Sequence, residues 1–260
     1  MIPISDDNPT LRTPVVTYAL LITLLAVFVL VQGAGGFGGP TSQFALIKSV
    51  CNYGMVPAEL LHTQPVGLAV PMAPGVACVV DNEPINIFTP LTSMFLHGGW
   101  AHLLGNALYL WVFGNNVEDS MGRGRFLAFY LICGLAAAAA HVLVEPGSPV
   151  PTVGASGAIS GVLGGYLMLY PRVRVRTYFP PIFLFHVPAW FVLIFWFGGQ
   201  VLTGLPQLQQ MRGDASSGVA VWAHIGGFVA GAILVKLFAS PARVATRTAE
   251  GDAQAVFGAT

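Results

Sequence analysis

Charge is what this chain has least of. Aspartate, glutamate, lysine and arginine make up 8% of its 260 residues, against roughly 25% in ordinary soluble domains. Apolar types reach 55%, and the mean hydropathy is +0.71. Such a composition excludes an ordinary soluble domain; the formal net charge of zero decides nothing by itself, and no basic patch suggests nucleic acid. The alternating apolar and polar strands of a membrane barrel are also missing, so a bilayer-spanning chain must satisfy its backbone inside helices. Cysteine is scarce too, with three residues.

What is present is a series of long uncharged runs. A hydrocarbon core of about 30 Å needs roughly 20 apolar residues per helix. Six runs approach that length, at about Val15 to Val31, Met94 to Phe113, Phe126 to Val144, Gly154 to Tyr170, Ile182 to Leu202 and Val219 to Phe238. The expected fold is therefore an all-α polytopic membrane protein with six transmembrane helices. The first run is too long, and its flank "MIPISDDNPTLRTP" too acidic, for a cleavable signal peptide. In a six-pass arrangement Arg12, Arg123, Arg125, Arg172, Arg174, Arg176, Lys236, Arg243 and Arg247 share one side, and only Lys48 and Arg212 face the other. The positive-inside rule then puts both termini in the cytoplasm. Expected divisions are a short cytoplasmic N-terminus over 1–13, a six-helix membrane domain over 14–238 with a long first outer loop at about 33–93, and a small, polar, disordered cytoplasmic tail over 239–260. Cys51 and Cys78 fall in that loop and are either a disulfide or two buried free thiols; Cys133, inside the third run, is a small packing residue.

The second, fourth and sixth runs each carry polar residues near the outer end: "HGGWAHLLGN" with His97, His102 and Asn106, "PTVGASGAISG" with Ser156, and "AHIGGFVAG" with His224. The fourth run, about 17 residues and roughly 25 Å, is short of a full span, so Ser156 should lie below the outer surface. Gly157, Gly161 and Gly165 recur every four residues on one face, as do Ala223, Gly227 and Gly231; small-residue stripes let backbones approach closely in lipid. Ser156 and His224 each flank such a stripe, so a hydrogen bond between them is plausible. Serine alone usually only packs in such places, whereas an intramembrane histidine is a functional suspect. His97 and His102, five apart, lack an HExxH pattern or a third ligand, so no metal is expected. His102 and Asn106 are four apart on one helical face, where two donors suit a developing oxyanion. His62, His141 and His186 read as structural or interfacial. Glu118 is about 24 Å along the helix from His102 and reads as a structural acid on the cytoplasmic side. Without a carboxylate near the outer ends, only a dyad can be built.

Gly154-Ala155-Ser156-Gly157, Ala223-His224 followed by Gly227 and Gly231, and His97, His102 and Asn106 together resemble the rhomboid family of intramembrane serine proteases. The likeness covers about Thr89 to Phe238 and includes "FTPLTSMFLHGGWAHLLGN". It implies a serine endopeptidase that cleaves transmembrane segments of membrane proteins near the outer face. Ser156 would be the nucleophile and His224 the base, with an oxyanion hole from His102, Asn106 and the Ser156 backbone N–H. It further implies a gate formed by the fifth span, where Pro188 could introduce a kink, and a cap at about Gly204 to Ser217. No metal or organic cofactor is required, the partners are transmembrane substrates in a lipid bilayer, and the location is an integral multi-pass position in the cell's inner membrane if the source is bacterial. Two departures stand out: Ser160 occupies the place where some members carry an aromatic residue against the histidine, and the first outer loop has no Trp-Arg pair. The alternative function is a catalytically inactive protein of the same fold that binds membrane clients. A small-solute transporter is a poorer fit, because no inverted repeat is visible.

Overall fold

The computed structural model describes residues 1–34, 40–181, 183–210 and 220–244. The expected start of the fifth span at Ile182, the second half of the expected cap and the tail from residue 245 lie outside the described residues. The chain is mostly helical. Among the described residues α7 (Arg123–Val144) and α10 (Val221–Phe238) are long and apolar enough to cross a membrane by length and composition, and Val15–Val31, Ser156–Leu169 and Ala189–Leu205 are shorter apolar helices. Large side chains point outward along these elements, with Leu30, Leu143 and Leu237 each at least 75% exposed, an arrangement suited to lipid rather than water.

The first helix, α1 (Val15–Ala26), passes into a π turn at Val27–Val31. Its N-terminus leaves backbone N–H groups without intrahelical partners. The buried Glu118 carboxylate takes two of them, from Val16 at 2.9 Å and Thr17 at 2.7 Å, and also accepts the Thr17 hydroxyl at 2.8 Å. An anion at the positive end of a helix is favourable, and Glu118 thereby fixes where α1 enters the bundle. The segment after α1 has its own structure: α2 (Pro40–Tyr53), α3 (Pro57–Leu61) and a hairpin of β2 (Ala69–Ala73) with β3 (Val76–Val79). A disulfide joins Cys51 of α2 to Cys78 of β3. The short helix α4 (Thr89–Thr92) then leads through a turn into α5 (Trp100–Tyr109), which continues through a π turn into α6 (Asn115–Met121).

At the centre stands α8 (Ser156–Leu169), buried from Gly157 to Tyr166 and enclosed by α7 and α10. Its glycines explain how. A Cβ on Gly157 would stand 2.7 Å from the Ala137 Cβ of α7, and the same addition at Gly161 would meet Cys133. On the other side, a Cβ at Gly227 or Gly231 of α10 would run into the backbone carbonyl of Gly157 or Gly161. Gly164, rather than the expected Gly165, makes the third close backbone approach, to the Phe228 carbonyl. Three helices thus touch almost backbone to backbone, and dispersion contacts replace the side-chain packing that lipid cannot drive.

Four expectations change. The fold is not wholly helical, because β1 (Ile2–Asp6), β4 (Arg174–Phe179) and β5 (Phe183–Pro188) form an antiparallel sheet in the order β1-β4-β5. The expected fifth span therefore begins later: Phe183 to Pro188 are strand, and the helix is α9 (Ala189–Gln210). Pro188 lies just before that helix rather than kinking it, which suits a residue without a backbone donor. His97 precedes α5 instead of lying on it.

The sheet closes the end of the bundle opposite Ser156. Asp6 of β1 accepts the Asn116 amide at 2.6 Å and the Tyr166 hydroxyl, which anchors the strand to α6 and α8. Asp119 accepts the Leu11 N–H at 2.8 Å and pairs with Arg12 at 3.1 Å.

Candidate active site

Ser156 is the first residue of α8, and the turn before it is held from two sides. The Gly154 N–H donates to the Ser93 carbonyl at 2.9 Å, and Met55 and Thr152 exchange backbone hydrogen bonds at 2.9 and 2.8 Å. Gly154 has φ +131°, a conformation open to glycine and strained for other residues. Its missing side chain matters as much as its backbone. A Cβ there would lie 2.7 Å from His102 Nε2 and 3.4 Å from Ser156 Oγ. The imidazole edge and the hydroxyl therefore border the same small space.

Across the α8–α10 seam, His224 Nε2 stands 2.7 Å from Ser156 Oγ. The seam explains the distance, since Gly227, one turn along α10 from His224, rests on the backbone of Gly157, next to Ser156. His224 Nδ1 faces the side-chain oxygen of Gln200 on α9 at 2.7 Å. An amide oxygen only accepts, so Nδ1 carries the ring proton. Nε2 is then the unprotonated nitrogen and accepts the Ser156 O–H. Trp196, one turn before Gln200 on the same face of α9, lies 5.8 Å from the His224 ring. Ser160 instead donates back to the Ser156 carbonyl at 2.6 Å. Support for the imidazole thus comes from α9, and not from the position four residues after the serine.

On α5, the Gly98 N–H donates to His102 Nδ1 at 3.4 Å. That assigns the proton to Nε2, the nitrogen beside Gly154. Asn106 is one turn further, and its Nδ2 is buried with no hydrogen-bond partner among the described residues. His97 is fully buried, with its ring edge-on to Phe28 and 5.2 Å from the His102 ring. Its backbone is clamped by one side chain: the His97 N–H donates to Gln32 Oε1 at 2.9 Å, and Gln32 Nε2 donates to the His97 carbonyl at 3.0 Å.

The other histidines lie apart from this cluster or at its margin. His141 Nε2 is 3.0 Å from Thr152 Oγ1, and His186 pairs with Arg176 in the sheet. His62 follows α3 with φ +52°. Away from the bundle, burial pushes the Glu59 carboxyl up to about 7, against a smaller lowering by the Asp81 backbone N–H.

Sequence reasoning missed Gln200, Trp196 and Gln32. Gln200 had a readable signal, being a lone amide in the apolar run "FVLIFWFGGQVL", where a polar residue is a functional suspect by default. Gln32 gave none, because its partner is 65 residues away.

A family model described as the rhomboid domain matches residues 84–241. The chain is 45% identical to Rhomboid protease GluP of Bacillus subtilis (strain 168) over 89 residues, which are 34% of this chain and 17% of that one. It is 36% identical to RHOMBOID-like protein 5 of Arabidopsis thaliana over 77 residues, 30% of this chain and 25% of the relative. With Rhomboid-like protease 5 of Toxoplasma gondii the identity is 34% over 151 residues, 56% of this chain and 15% of the relative. Each match spans a quarter or less of the relative's own length.

Proposed function

The chain belongs to the rhomboid family, and from that premise we propose that it is an intramembrane serine endopeptidase working through a Ser156–His224 dyad. The observation that carries this reading is the 2.7 Å contact of Ser156 Oγ with the unprotonated Nε2 of His224. The Ser156 proton passes to Nε2 as Oγ attacks a peptide carbonyl. The charge that develops on the carbonyl oxygen is met by His102 Nε2–H, Asn106 Nδ2–H and the Ser156 backbone N–H, the last left free because Ser156 opens α8. The imidazolium returns its proton to the leaving amine, and water then hydrolyses the acyl-enzyme with His224 again as base.

The same reading places six spans in the bilayer, with α5 to α6, α8 and α10 entering from the outer face and both termini in the cytoplasm. The basic residues Arg123, Arg125, Arg174 and Arg176 lie toward the end of the bundle away from Ser156, as the positive-inside rule requires. Substrates are transmembrane helices of other proteins, cut near the outer face. Because a helix in lipid hides its peptide bonds, the cut should fall where glycine or proline weakens it.

Labelling with a fluorophosphonate probe tests the mechanism without knowledge of a substrate. Wild type should label, while Ser156→Ala and His224→Ala should not. Equal labelling of wild type and Ser156→Ala would sink the dyad; folded wild type that never labels or cleaves would favour a non-catalytic protein that binds membrane clients.

A further inference from the structure

We propose that Gln200 is the positioning residue of the dyad, the neutral counterpart of the acid in a triad, and that α9 carries it to His224. The inference rests on the Ser156–His224 reading and extends it to a helix that contributes no reacting atom.

Three observations support it. The Gln200 oxygen is 2.7 Å from Nδ1, a full hydrogen bond on the ring edge opposite Ser156. It is an acceptor, so it selects the tautomer whose Nε2 lone pair faces the hydroxyl. Without it, an imidazole protonated on Nε2 would present an N–H to Ser156 and could not take its proton. Trp196 on the same face restricts ring rotation. Nothing else described fills this role: Ser160 is committed to its own helix, and the titratable groups that act on the imidazole are His102 across the site and His141 on α7. Neither is a hydrogen-bonded partner of Nδ1.

The placement has a mechanical consequence. α8 and α10 meet backbone to backbone at glycines, whereas α9 meets α10 at the level of the site through the large side chains of Trp196 and Phe197 against Phe228. Side-chain contacts can slide where backbone contacts cannot. A displacement of α9 by about 1 Å stretches the Gln200 hydrogen bond beyond reach, so the orientation of the base is tied to the position of this helix.

The test compares fluorophosphonate labelling of the full chain carrying Gln200→Leu, which keeps apolar volume and removes the acceptor, with Gln200→Glu, which restores one. In labelling, Ser156 Oγ bonds to phosphorus, fluoride leaves and the hydroxyl proton passes to Nε2, so the rate reports the base directly and needs no helix to enter the site. With a labelling-competent wild type and a silent Ser156→Ala as references, Gln200→Leu should label about 10- to 100-fold more slowly. Gln200→Glu should recover most of the rate, with the acid limb of its pH profile moved to higher pH because a carboxylate favours the imidazolium. Labelling of Gln200→Leu within twofold of wild type would overturn the positioning role and leave the dyad standing. Equal slowing of both variants with an unmoved acid limb would also overturn it, as a packing effect. A wild type that fails to label would remove the dyad and this inference with it.

Discussion

The small space between His102 and Ser156 depends on one absent methyl group, and Gly154→Ala puts it back. The new Cβ would be 2.7 Å from His102 Nε2, against the 3.4 Å at which ordinary contact begins, a deficit of about 0.7 Å. If His102 yields that distance, a donor placed at about 2.9 Å from an oxyanion retreats to about 3.6 Å and ceases to be a hydrogen bond. Loss of one such donor costs on the order of 10²–10³ in turnover. A second cost is conformational, since alanine at φ +131° adds about 1–3 kcal/mol of strain. A double-mutant cycle separates the two. His102→Ala alone should cost about 10²–10³ in kcat, and it also removes the ring that the methyl strikes. Gly154→Ala should therefore cost little more in the His102→Ala background, apart from a lower melting temperature. Penalties that instead multiply to about 10⁴ or more would refute the steric argument, and would show that glycine serves the backbone turn alone.

Three further outcomes follow from the same contacts. Gly227→Ala forces a methyl against the Gly157 carbonyl, so α10 must part from α8; melting should show a loss of about 1–3 kcal/mol and labelling should slow at least tenfold, whereas unchanged rates would mean the seam opens without moving His224. Glu59 has a folded value of about 7 against an ordinary 4.5, so the folded state holds its proton more tightly; stability should fall as pH rises from 4.5 through about 7 and level off above it. Melting curves of Glu59→Gln should lack that slope, and an identical slope in both proteins would rule Glu59 out as its source. Replacing Cys51 and Cys78 with serine opens a loop of 27 residues, which by chain entropy costs about 3.5 kcal/mol; unaltered melting under reducing and non-reducing conditions would contradict that.

Legibility followed the reach of each interaction. Lipid demands long apolar runs, so α7 and α10 were visible as blocks of composition, and glycines at four-residue spacing marked the faces that meet. The strand β5 was hidden inside such a block, because a short apolar run reads alike as buried strand or helix. Its pairing partner β4 was equally hidden, and β1 lies more than 160 residues away in the chain. The same limit applied within the site. Ser156 and His224 stand in recognisable local contexts, while the Gln200 contact is made between helices and depends on the rotation of α9, which no local pattern encodes. Gly164 replaced Gly165 at the seam for a similar reason: where two helices cross at an angle, the closest residues drift off a strict four-residue row.

The polar groups at the site are also unequally satisfied, and the inequality has a direction. Both ring nitrogens of His224 have partners, and His102 Nδ1 has one. Asn106 Nδ2 has none among the described residues, although it is buried. A buried donor left unpaired costs about 1–3 kcal/mol, and an apolar residue at 106 would avoid that cost. In the proposed reaction the donor is unpaired only in the ground state, and a tetrahedral intermediate places an oxygen anion against it. An interaction absent before attack and present during it lowers the barrier rather than strengthening substrate binding. On this account Asn106→Leu should stabilise the folded protein while slowing catalysis. Slower catalysis with a lower melting temperature would instead mark Asn106 as a structural residue of α5.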